Sequence, residues 1–308
     1  MKTLIIGATG YIGSAIARNL KTHGHEVHGL ARNDGNIAKL EAAGVVPAAG
    51  DLDQIEGVAL LAAQYDATIL AGLAGRSEES VVVAALVESC RGSSRKFIYT
   101  SGTGVLGIEA HDGRWSDYAF EEDDPFPFAG AETRAWRIPT EEMVREAGRQ
   151  GVHAMVLRPP LVYGHGGSTQ VPAIFESVLK TGKACYIGLG LNLYSNVHVD
   201  DLAEAFRLAL EKGTPGALYH TVAGEVNFRA IAEAVAHVMQ CQTESISFER
   251  ACEIWGERIA SIALAVNSRS VARRTREELG WEPRHLDMID DIRSGSYRVW
   301  RDRLPRTR

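Results

Sequence analysis

The sequence predicts an α/β protein with a doubly wound parallel sheet, and two observations support this fold class. Short apolar runs alternate with amphipathic stretches through the first half of the chain. This alternation is typical of parallel strands joined by helices that pack on both faces of a sheet. The chain has 308 residues, 45% of them hydrophobic and 23% charged, which suffices for one large core or for one core with a smaller lobe.

The first half is expected to contain six strands and their connecting helices, followed by less regular structure. Each expected strand is a short aliphatic run, and each expected helix repeats its apolar residues with helical period. A long loop is expected from Gly102 to Gly130. The expected strands are Leu4–Ile6, Glu26–Ala31, Val45–Ala49, Ala67–Ala71, Lys96–Thr100 and Val152–Arg158, and the expected helices are Tyr11–Thr22, Asn36–Ala43, Gln54–Ala63, Ser80–Cys90 and one that begins at Pro139 and ends near Gln150.

The second half offers several cap and stop signals for further helices. Ser, Asp and Asn residues favour helix N-termini, and glycine favours the position after a helix. Loops are expected at His165–Ser168 and Gly188–Gly190. The expected elements are a helix over Val171–Thr181, a strand over Asn196–Val199, a helix capped by Asp200 or Asp201 that runs to Leu210, a helix from Asn227 to Met239, helical structure between Glu249 and Ile262, and a helix that Ser268 or Ser270 opens and Gly280 ends.

Composition excludes several classes of protein. The formal charge of −6 provides no basic field for nucleic acid. The longest apolar run, Val81–Val87, is too short to span a bilayer, and glycines interrupt the apolar start too early for a secretory signal. The cysteines form no CxxC pair and no local spacing suggests a metal site, so a soluble protein of the reducing cytoplasm without a metal is expected. The four cysteines are Cys90, Cys185, Cys241 and Cys252.

A glycine-rich turn lies between the first expected strand and the first expected helix. Gly7 permits a tight turn, Gly10 lets the backbone approach a pyrophosphate, and Gly13 lets the helix pack closely on the strand. The free N–H groups of the helix N-terminus would then bind the anion. This arrangement predicts a Rossmann dinucleotide site, whereas the alternative is a glycine-rich turn without a ligand. The expected contacts are Gly7, Thr9, Gly10, Tyr11, Ile12 and Gly13.

The end of the second strand indicates which dinucleotide binds. A site for NAD usually places a carboxylate there to accept hydrogen bonds from the ribose hydroxyls. This chain has Arg32 and Asn33 instead, and a guanidinium suits a 2′-phosphate, so the sequence predicts NADP(H). The alternative is an exposed loop arginine without a ligand. Residues after the third and fourth strands are expected to contact the adenine edge and the dinucleotide, namely Asp51 and Leu52, then Ala71, Gly72 and Leu73.

Five segments together resemble the extended short-chain dehydrogenase/reductase family, the group of sugar-nucleotide epimerases and dehydratases. The resemblance covers nearly the whole chain. It implies a Rossmann domain over residues 1–165 with 196–225 returning to it, and a smaller discontinuous C-terminal substrate lobe over 166–195 and 226–308. It also implies nicotinamide near Pro159 and Pro160, with Thr100 and Ser101 at the cofactor. The segments are Gly7–Gly13, Gly50–Leu52, Tyr99–Ser101, Leu157–Gly164 and Val197–Ala203.

The catalytic residues of the family do not carry over to this chain. The family uses a Ser or Thr with a Tyr-x-x-x-Lys pair, in which the lysine lowers the pKa of the phenol. No tyrosine here has a lysine four positions later; Thr133 falls at the tyrosine position and Arg137 at the lysine position. Gly102 falls at the serine position, with Thr103 beside it. The chain therefore resembles the atypical branch of the family, with Arg137 as a cofactor ligand.

If the protein catalyses a reduction, a residue other than Thr133 must donate the proton. Tyr194 precedes a strand on the substrate side, and His165 follows the Tyr163-Gly164 turn with a side chain that titrates near neutral pH. Thr103 completes the candidate set. Tyr163 is assigned to packing, and Tyr118 to a solvated acidic flap.

The sequence predicts an NADP(H)-dependent oxidoreductase that acts on a small or medium carbonyl or alcohol substrate. Two alternatives stay open: an NADP(H)-binding sensor or scaffold without turnover, and a non-redox isomerase or lyase on the same fold. A homodimer is also expected, because the helix over Ser80–Cys90 is apolar nearly all round and the sheet can cover only one of its faces.

Overall fold

A computed structural model describes residues 1–72, 79–129 and 132–303. Its largest sheet has seven strands in the order β11-β7-β5-β4-β1-β2-β3, and all six pairings are parallel. The strands are β1 (Lys2–Ile6), β2 (Glu26–Ala31), β3 (Val46–Ala49), β4 (Ala67–Leu70), β5 (Lys96–Thr100), β6 (Ile108–Glu109), β7 (His153–Arg158), β8 (Leu161–Tyr163), β9 (Ala184–Ile187), β10 (Leu193–His198), β11 (Leu218–His220), β12 (Gly224–Asn227), β13 (Thr243–Ile246) and β14 (Val266–Asn267).

Helices cover both faces of this sheet, as the doubly wound pattern requires. Ile16, Leu20 and Phe206 fill the core on one face, and Val58, Leu86 and Val144 fill the core on the other. The predicted α/β fold class is confirmed. The helices are α1 (Tyr11–Thr22), α2 (Asp34–Ala42), α3 (Ile55–Ala62), α4 (Glu79–Cys90), α5 (Glu132–Arg149), α6 (Gln170–Thr181), α7 (Val199–Lys212), α8 (Phe228–Met239), α9 (Phe248–Trp255), α10 (Glu257–Ile259), α11 (Arg273–Leu279) and α12 (Met288–Ser294).

A separate core lies among the later elements. It packs α6, α8, α9 and α12 around large buried side chains such as Phe175, Phe228 and Tyr297. Leu161 and Tyr163 of β8 belong to this second core. Small sheets connect the two regions: β10 pairs with β8 in parallel and with β12 in antiparallel orientation. The predicted boundaries of the substrate lobe stay a prediction.

Several predicted helix starts were wrong. Helix α5 begins at Glu132, and Pro139 lies inside it, so Arg137 sits on the helix and not before it. The hydroxyl of Thr140 donates to the Trp136 carbonyl (2.9 Å), a helical back-bond in the turn that holds the proline. Helix α2 begins at Asp34, because the Asn33 side chain caps it by accepting from the Asn36 N–H (2.9 Å).

Two helices of the second half also begin elsewhere than predicted. The cap of α7 is His198 and neither Asp200 nor Asp201, because the His198 ring accepts from the Asp200 N–H (3.2 Å). Helix α11 begins at Arg273, since Ser268 and Ser270 are buried and bonded to other segments. The predicted cap of α8 at Asn227 and the end of α11 at Gly280 are confirmed. The region expected as one long loop contains a 3₁₀ turn over Thr103–Leu106 and the short strand β6.

Candidate active site

Two connected features mark the carboxyl edge of the parallel sheet, where ligands bind in open α/β sheets. A cleft of about 500 Å³ lies beyond β1, β4, β5 and β7, and the second lobe closes its other side. A smaller pocket of about 150 Å³ lies beyond β1, β2 and β3. Most of the predicted cofactor residues line one or the other, whereas Gly10, Gly13, Asn33 and Thr100 line neither. The cleft contains Tyr11, Ile12, Ala71, Ser101, Arg137, Pro159 and Pro160, and the small pocket contains Gly7, Thr9, Arg32, Asp51, Leu52 and Gly72.

The glycine turn has the geometry of an anion site built from backbone. Gly7 has φ +92°, which a residue with a side chain rarely adopts, and its carbonyl accepts from the Gly10 N–H (2.9 Å). A Cβ on Gly13 would lie 2.1 Å from the Gly7 oxygen, so only glycine lets α1 approach β1 this closely. No side chain caps α1, and the first N–H groups of α1 are free for a ligand. The turn fits a dinucleotide phosphate.

The small pocket holds the candidate for a 2′-phosphate. Arg32 is exposed there and has no hydrogen bond or ion pair within the described ranges. Asn36 lines the same pocket and was not predicted. Asn33 does not line it, because its side-chain oxygen caps α2. Asp34 occupies the first turn of α2, so the N-terminus of α2 presents a carboxylate as well as its N–H groups.

The Arg137 guanidinium reaches the cleft from helix α5. Its Nε lies 3.7 Å from the Glu79 carboxylate, and its NH1 lies 3.3 Å from where a Cβ on Gly102 would be. Glu79 is buried and also accepts a hydrogen bond from the Tyr99 hydroxyl. Burial raises the pKa of Glu79, while Tyr99 and Arg137 lower it. The Nε of Arg137 and one oxygen of Glu79 lack a hydrogen-bond partner among the described residues. One donor and one acceptor beside the cleft are therefore available to a ligand.

A second buried polar network lies behind Ser101. The Ser101 hydroxyl donates to Glu141, and Arg158 forms a bidentate ion pair with the same carboxylate. Arg158 also contacts the Nε2 of His220 at 3.4 Å, and the Nδ1–H of His220 donates to the Val271 carbonyl at 3.1 Å. This network fixes Ser101 at the wall of the cleft.

Three hydroxyl groups meet at the reacting end of the cleft. Tyr194, 4% exposed, lines the cleft, and its phenol lies near the hydroxyl groups of Thr103 and Ser268. Ser268 donates to the Thr103 carbonyl (2.8 Å) and lies 3.2 Å from the Thr103 hydroxyl. Burial raises the pKa of the Tyr194 phenol, whereas the nearby hydroxyl groups of Ser268 and Thr103 and the positive charge of Arg137 lower it. Thr103 and Tyr194, 91 positions apart in sequence, thus form one site.

Other predicted residues lie elsewhere. His165 does not line the cleft: half-exposed, with φ 51°, it pairs with Asp200 (2.9 Å). Thr100 is not among the lining residues, and its buried hydroxyl has no partner among the described residues. Leu73 lies outside the described residues. Sequence spacing predicted no metal ligands, yet potential ligand atoms of His165, His198 and Asp200 lie within 4.8 Å of one another.

This histidine and aspartate cluster is satisfied by its own contacts. The Nδ1 of His198 already accepts the Asp200 N–H, and the Asp200 carboxylate binds Arg18 at 3.0 Å as well as His165. Burial lowers the pKa of His198, so its ring stays neutral in this role as a helix cap. The cluster therefore joins three segments through its own hydrogen bonds and ion pairs.

Sequence reasoning missed the partners that complete the site. Ser268 and Glu79 come from distant segments, and no local motif marks either of them. Trp136 lies one residue before Arg137 and lines the cleft, which its neighbour could have suggested. Residues from the second lobe also line the cleft, and only the fold brings them there: Ser168, Thr169, Gln170, Arg258, Ile259, Ile262 and Ala263.

The fold and the site define a dinucleotide-binding enzyme of the Rossmann class. The family model of the NAD-dependent epimerase/dehydratase family matches residues 3–222, which is more than half of the chain. The chain therefore belongs to that family. As a member it is an NAD(P)-dependent enzyme of the oxidoreductase and epimerase type, which confirms the predicted resemblance.

Individual comparisons agree with this placement. An uncharacterised protein of Schizosaccharomyces pombe is 34% identical over 307 residues, covering 96% of this chain and all of that protein. The 2-alkyl-3-oxoalkanoate reductase of Stenotrophomonas maltophilia is 30% identical over 230 residues, covering 70% of this chain and 67% of that enzyme. The UDP-glucose 4-epimerase of Thermus thermophilus, solved with NAD, has the same fold with a TM-score of 0.73 at 21% identity, covering 99% of this chain and all of that one.

The described residues include no helix that is both long and apolar enough to cross a membrane.

Proposed function

We propose that this protein is an NADP(H)-dependent oxidoreductase that reduces a small or medium carbonyl compound to an alcohol, with Tyr194 as the proton donor. The observation that carries the proposal is the buried Tyr194 phenol in the cleft, near the hydroxyl groups of Thr103 and Ser268 and the positive charge of Arg137. The related Stenotrophomonas enzyme is named a reductase of a 3-oxo compound, which supports this class of reaction.

The residues divide the work of a reduction. NADPH supplies the hydride when it is bound. The protein's own task is to hold the carbonyl oxygen at Tyr194, whose phenol donates the proton that balances the hydride. Because burial raises its pKa, the phenol is protonated at neutral pH and acts as an acid. The positive charge of Arg137 and the nearby Thr103 hydroxyl would stabilise the phenolate that forms.

The other site residues hold the cofactor in this proposal. The backbone of Gly7–Gly13 binds the pyrophosphate, Arg32 binds the 2′-phosphate, and Arg137 takes the place of the family's lysine at the nicotinamide ribose. Pro159 and Pro160 line the nicotinamide end of the cleft. His165 has no role in this scheme, because it pairs with Asp200 outside the cleft.

Turnover measurements distinguish this proposal from its two alternatives. The purified protein is mixed with NADPH and a panel of aldehydes and ketones, and both NADPH loss and alcohol formation are followed. Equal amounts of NADPH consumed and alcohol formed support the oxidoreductase. Tight NADPH binding without consumption on the whole panel would favour a sensor or scaffold, and substrate conversion without net NADPH loss would favour an isomerase or lyase.

We also infer that the protein is cytoplasmic and that it forms a homodimer through α4 and α5. Val81 on α4 is 56% exposed, and Ala84 and Glu88 continue the same face one and two turns further on. A second copy would cover this small, mostly apolar face in an isologous contact. Light scattering at micromolar concentration should give twice the mass of one chain, and the mass of a single chain would contradict the dimer.

A further inference from the structure

We propose that the substrate is an anion: a ketone whose apolar body carries a carboxylate, and whose carboxylate binds Arg258 of the second lobe. This inference rests on the proposed reductase function and adds the chemical class of its substrate.

The charge of the cleft differs from the charge of the chain. Asp and Glu outnumber Lys and Arg by 39 to 33 in the sequence. The described residues that line the cleft nevertheless include two arginines, Arg137 and Arg258, and no Asp or Glu. A low-dielectric cleft with charge of one sign attracts a ligand of the opposite sign. In the proposed function the glycine turn binds the pyrophosphate and Arg137 binds the ribose, so the charge of Arg258 is left for another anion.

The two arginines differ in what neutralises them. Arg137 has the buried carboxylate of Glu79 behind it at 3.7 Å. Arg258 is exposed and has no hydrogen bond or ion pair within the part of the chain that the structure describes. Its guanidinium keeps its full charge and its paired N–H donors for a ligand. The planar fork of these donors matches the two oxygens of a carboxylate.

Apolar residues from both lobes line the same cleft as Arg258. Ile259, Ile262 and Ala263 follow it along α10 and the π-helical turn Ala260–Leu264, and all three line the cleft. A π-helical turn is rare and is found frequently at functional sites. Val105 and Trp136 line the cleft from the Rossmann side. These walls bind an aliphatic body well, while Ser168, Thr169 and Gln170 add polar groups to the lining of the cleft.

Reduction of matched acids and esters tests this proposal. We would measure kcat/KM with NADPH for 3-oxooctanoate and 5-oxooctanoate and for the methyl ester of each, which keeps the ketone and removes the charge. The wild-type protein should prefer at least one acid over its ester by tenfold or more, because hydrogen bonds between charged groups are stronger than those between neutral groups. Arg258→Gln should reduce that ratio to about one, and Arg258→Lys should restore part of it.

Arg284→Gln provides the matched control, because Arg284 is an exposed arginine that does not line the cleft. It should keep the wild-type preference. Equal turnover of acids and esters by the wild type, or an unchanged preference in Arg258→Gln, would overturn the proposal. Melting temperatures of the variants show that each remains folded.

If no ketone is reduced, that result counts against the reductase function. Ligand binding then tests separately whether Arg258 binds a carboxylate. Calorimetry with 3-hydroxyoctanoate in the presence of NADP should then show binding that Arg258→Gln weakens at least tenfold. Equal affinity of wild type and variant would overturn the assignment of Arg258 independently of turnover.

Discussion

The two ends of the proposed dinucleotide cleft differ in the groups that form them: backbone groups at one end and side chains at the other. The proposed phosphate end consists of backbone: Gly7 and Gly13 allow the close approach of α1 to β1, and the N–H groups of α1 would bind the anion. The reacting end consists of buried ionisable side chains. Tyr194, Arg137 with Glu79, and Glu141 with Arg158 meet there from separate segments.

This difference explains why one end follows the family and the other does not. A backbone site depends on a few glycines in one turn, and almost any side chain there causes a clash. A site made of side chains can exchange one hydroxyl or cation for another when the new group reaches the same place. Here Arg137 stands at the lysine position, and we infer that Tyr194 replaces the phenol from the opposite lobe.

The largest expected effect comes from a side chain in the phosphate turn. Gly13→Val places a Cβ 2.1 Å from the Gly7 oxygen and 2.7 Å from the Gly7 carbonyl carbon, so α1 must move away from β1. We expect loss of measurable NADPH binding by calorimetry and a destabilisation of about 1–3 kcal/mol or more. NADPH affinity within a few-fold of wild type would show that the turn does not bind the cofactor.

Gly57→Ala is the control for this variant. Gly57 lies in helix α3, and the nearest atom to an added Cβ is the Gln54 Cβ at 4.0 Å. Alanine in a helix interior should increase stability by about 0.5–1 kcal/mol and leave NADPH binding unchanged.

The next effect tests the reacting end. Tyr194→Phe removes the proposed proton donor and keeps the ring in the second core, where it packs edge-on against Phe228. Loss of general acid catalysis should lower kcat by roughly 10²–10⁴-fold and leave NADPH affinity nearly unchanged. Single-turnover measurements with a ketone separate this chemical defect from slow product release.

Thr133→Val is the matching variant at the tyrosine position of the family. A threonine hydroxyl is far too weakly acidic to serve as the acid, so most of the turnover should persist. A hundredfold loss, about 2.7 kcal/mol of barrier, in Thr133→Val together with an active Tyr194→Phe would reverse the two assignments.

A smaller effect is expected from Arg32, the side chain that we propose binds the 2′-phosphate. Arg32→Asp removes the proposed partner of the 2′-phosphate and adds repulsion, so the preference for NADP over NAD should invert. We expect a wild-type preference of about tenfold to several hundredfold, since charge-assisted hydrogen bonds contribute roughly 1.5–3 kcal/mol each. We expect a preference toward the lower end of this range, because the carboxylate of Asp34 in the first turn of α2 repels a phosphate.

Calorimetric titration of both dinucleotides checks this prediction. Arg293→Asp, on the exposed face of α12, makes the same change of charge at a distance and should leave the preference as it is. Equal wild-type affinities would identify Arg32 as a surface residue without a cofactor role.

The same contrast determines what the sequence could predict. The strands of the parallel sheet and the glycine turn follow from local periodicity and spacing, and the model reproduces them with small shifts in their bounds. The proline in α5 misled the prediction of its start, because tertiary packing outweighed the preference of proline for a first turn. Ser268 at Thr103 and Glu79 at Arg137 are long-range contacts, and neither periodicity nor spacing in the chain encodes them.

Acid should weaken the protein through the buried network behind Ser101. Burial, and then the charge of Arg158, lower the pKa of His220 to about 3, against an ordinary 6.5. Between these values the unfolded chain binds a proton that the folded protein does not, so the free energy of unfolding falls as pH drops below about 6.5. This linkage removes about 2 kcal/mol at pH 5.

His220→Gln should lessen this acid sensitivity, because a glutamine can donate to the Val271 carbonyl and accept from Arg158 but does not titrate. Urea unfolding at pH 7 and pH 5 measures this sensitivity. The decrease in the free energy of unfolding from pH 7 to pH 5 should be about 2 kcal/mol smaller in the variant than in the wild type. His237→Gln, at an exposed position of α8, should behave like wild type. An equal loss in His220→Gln and wild type would mean that the buried imidazole does not set the acid limit, and that pH acts on another group of the reacting end.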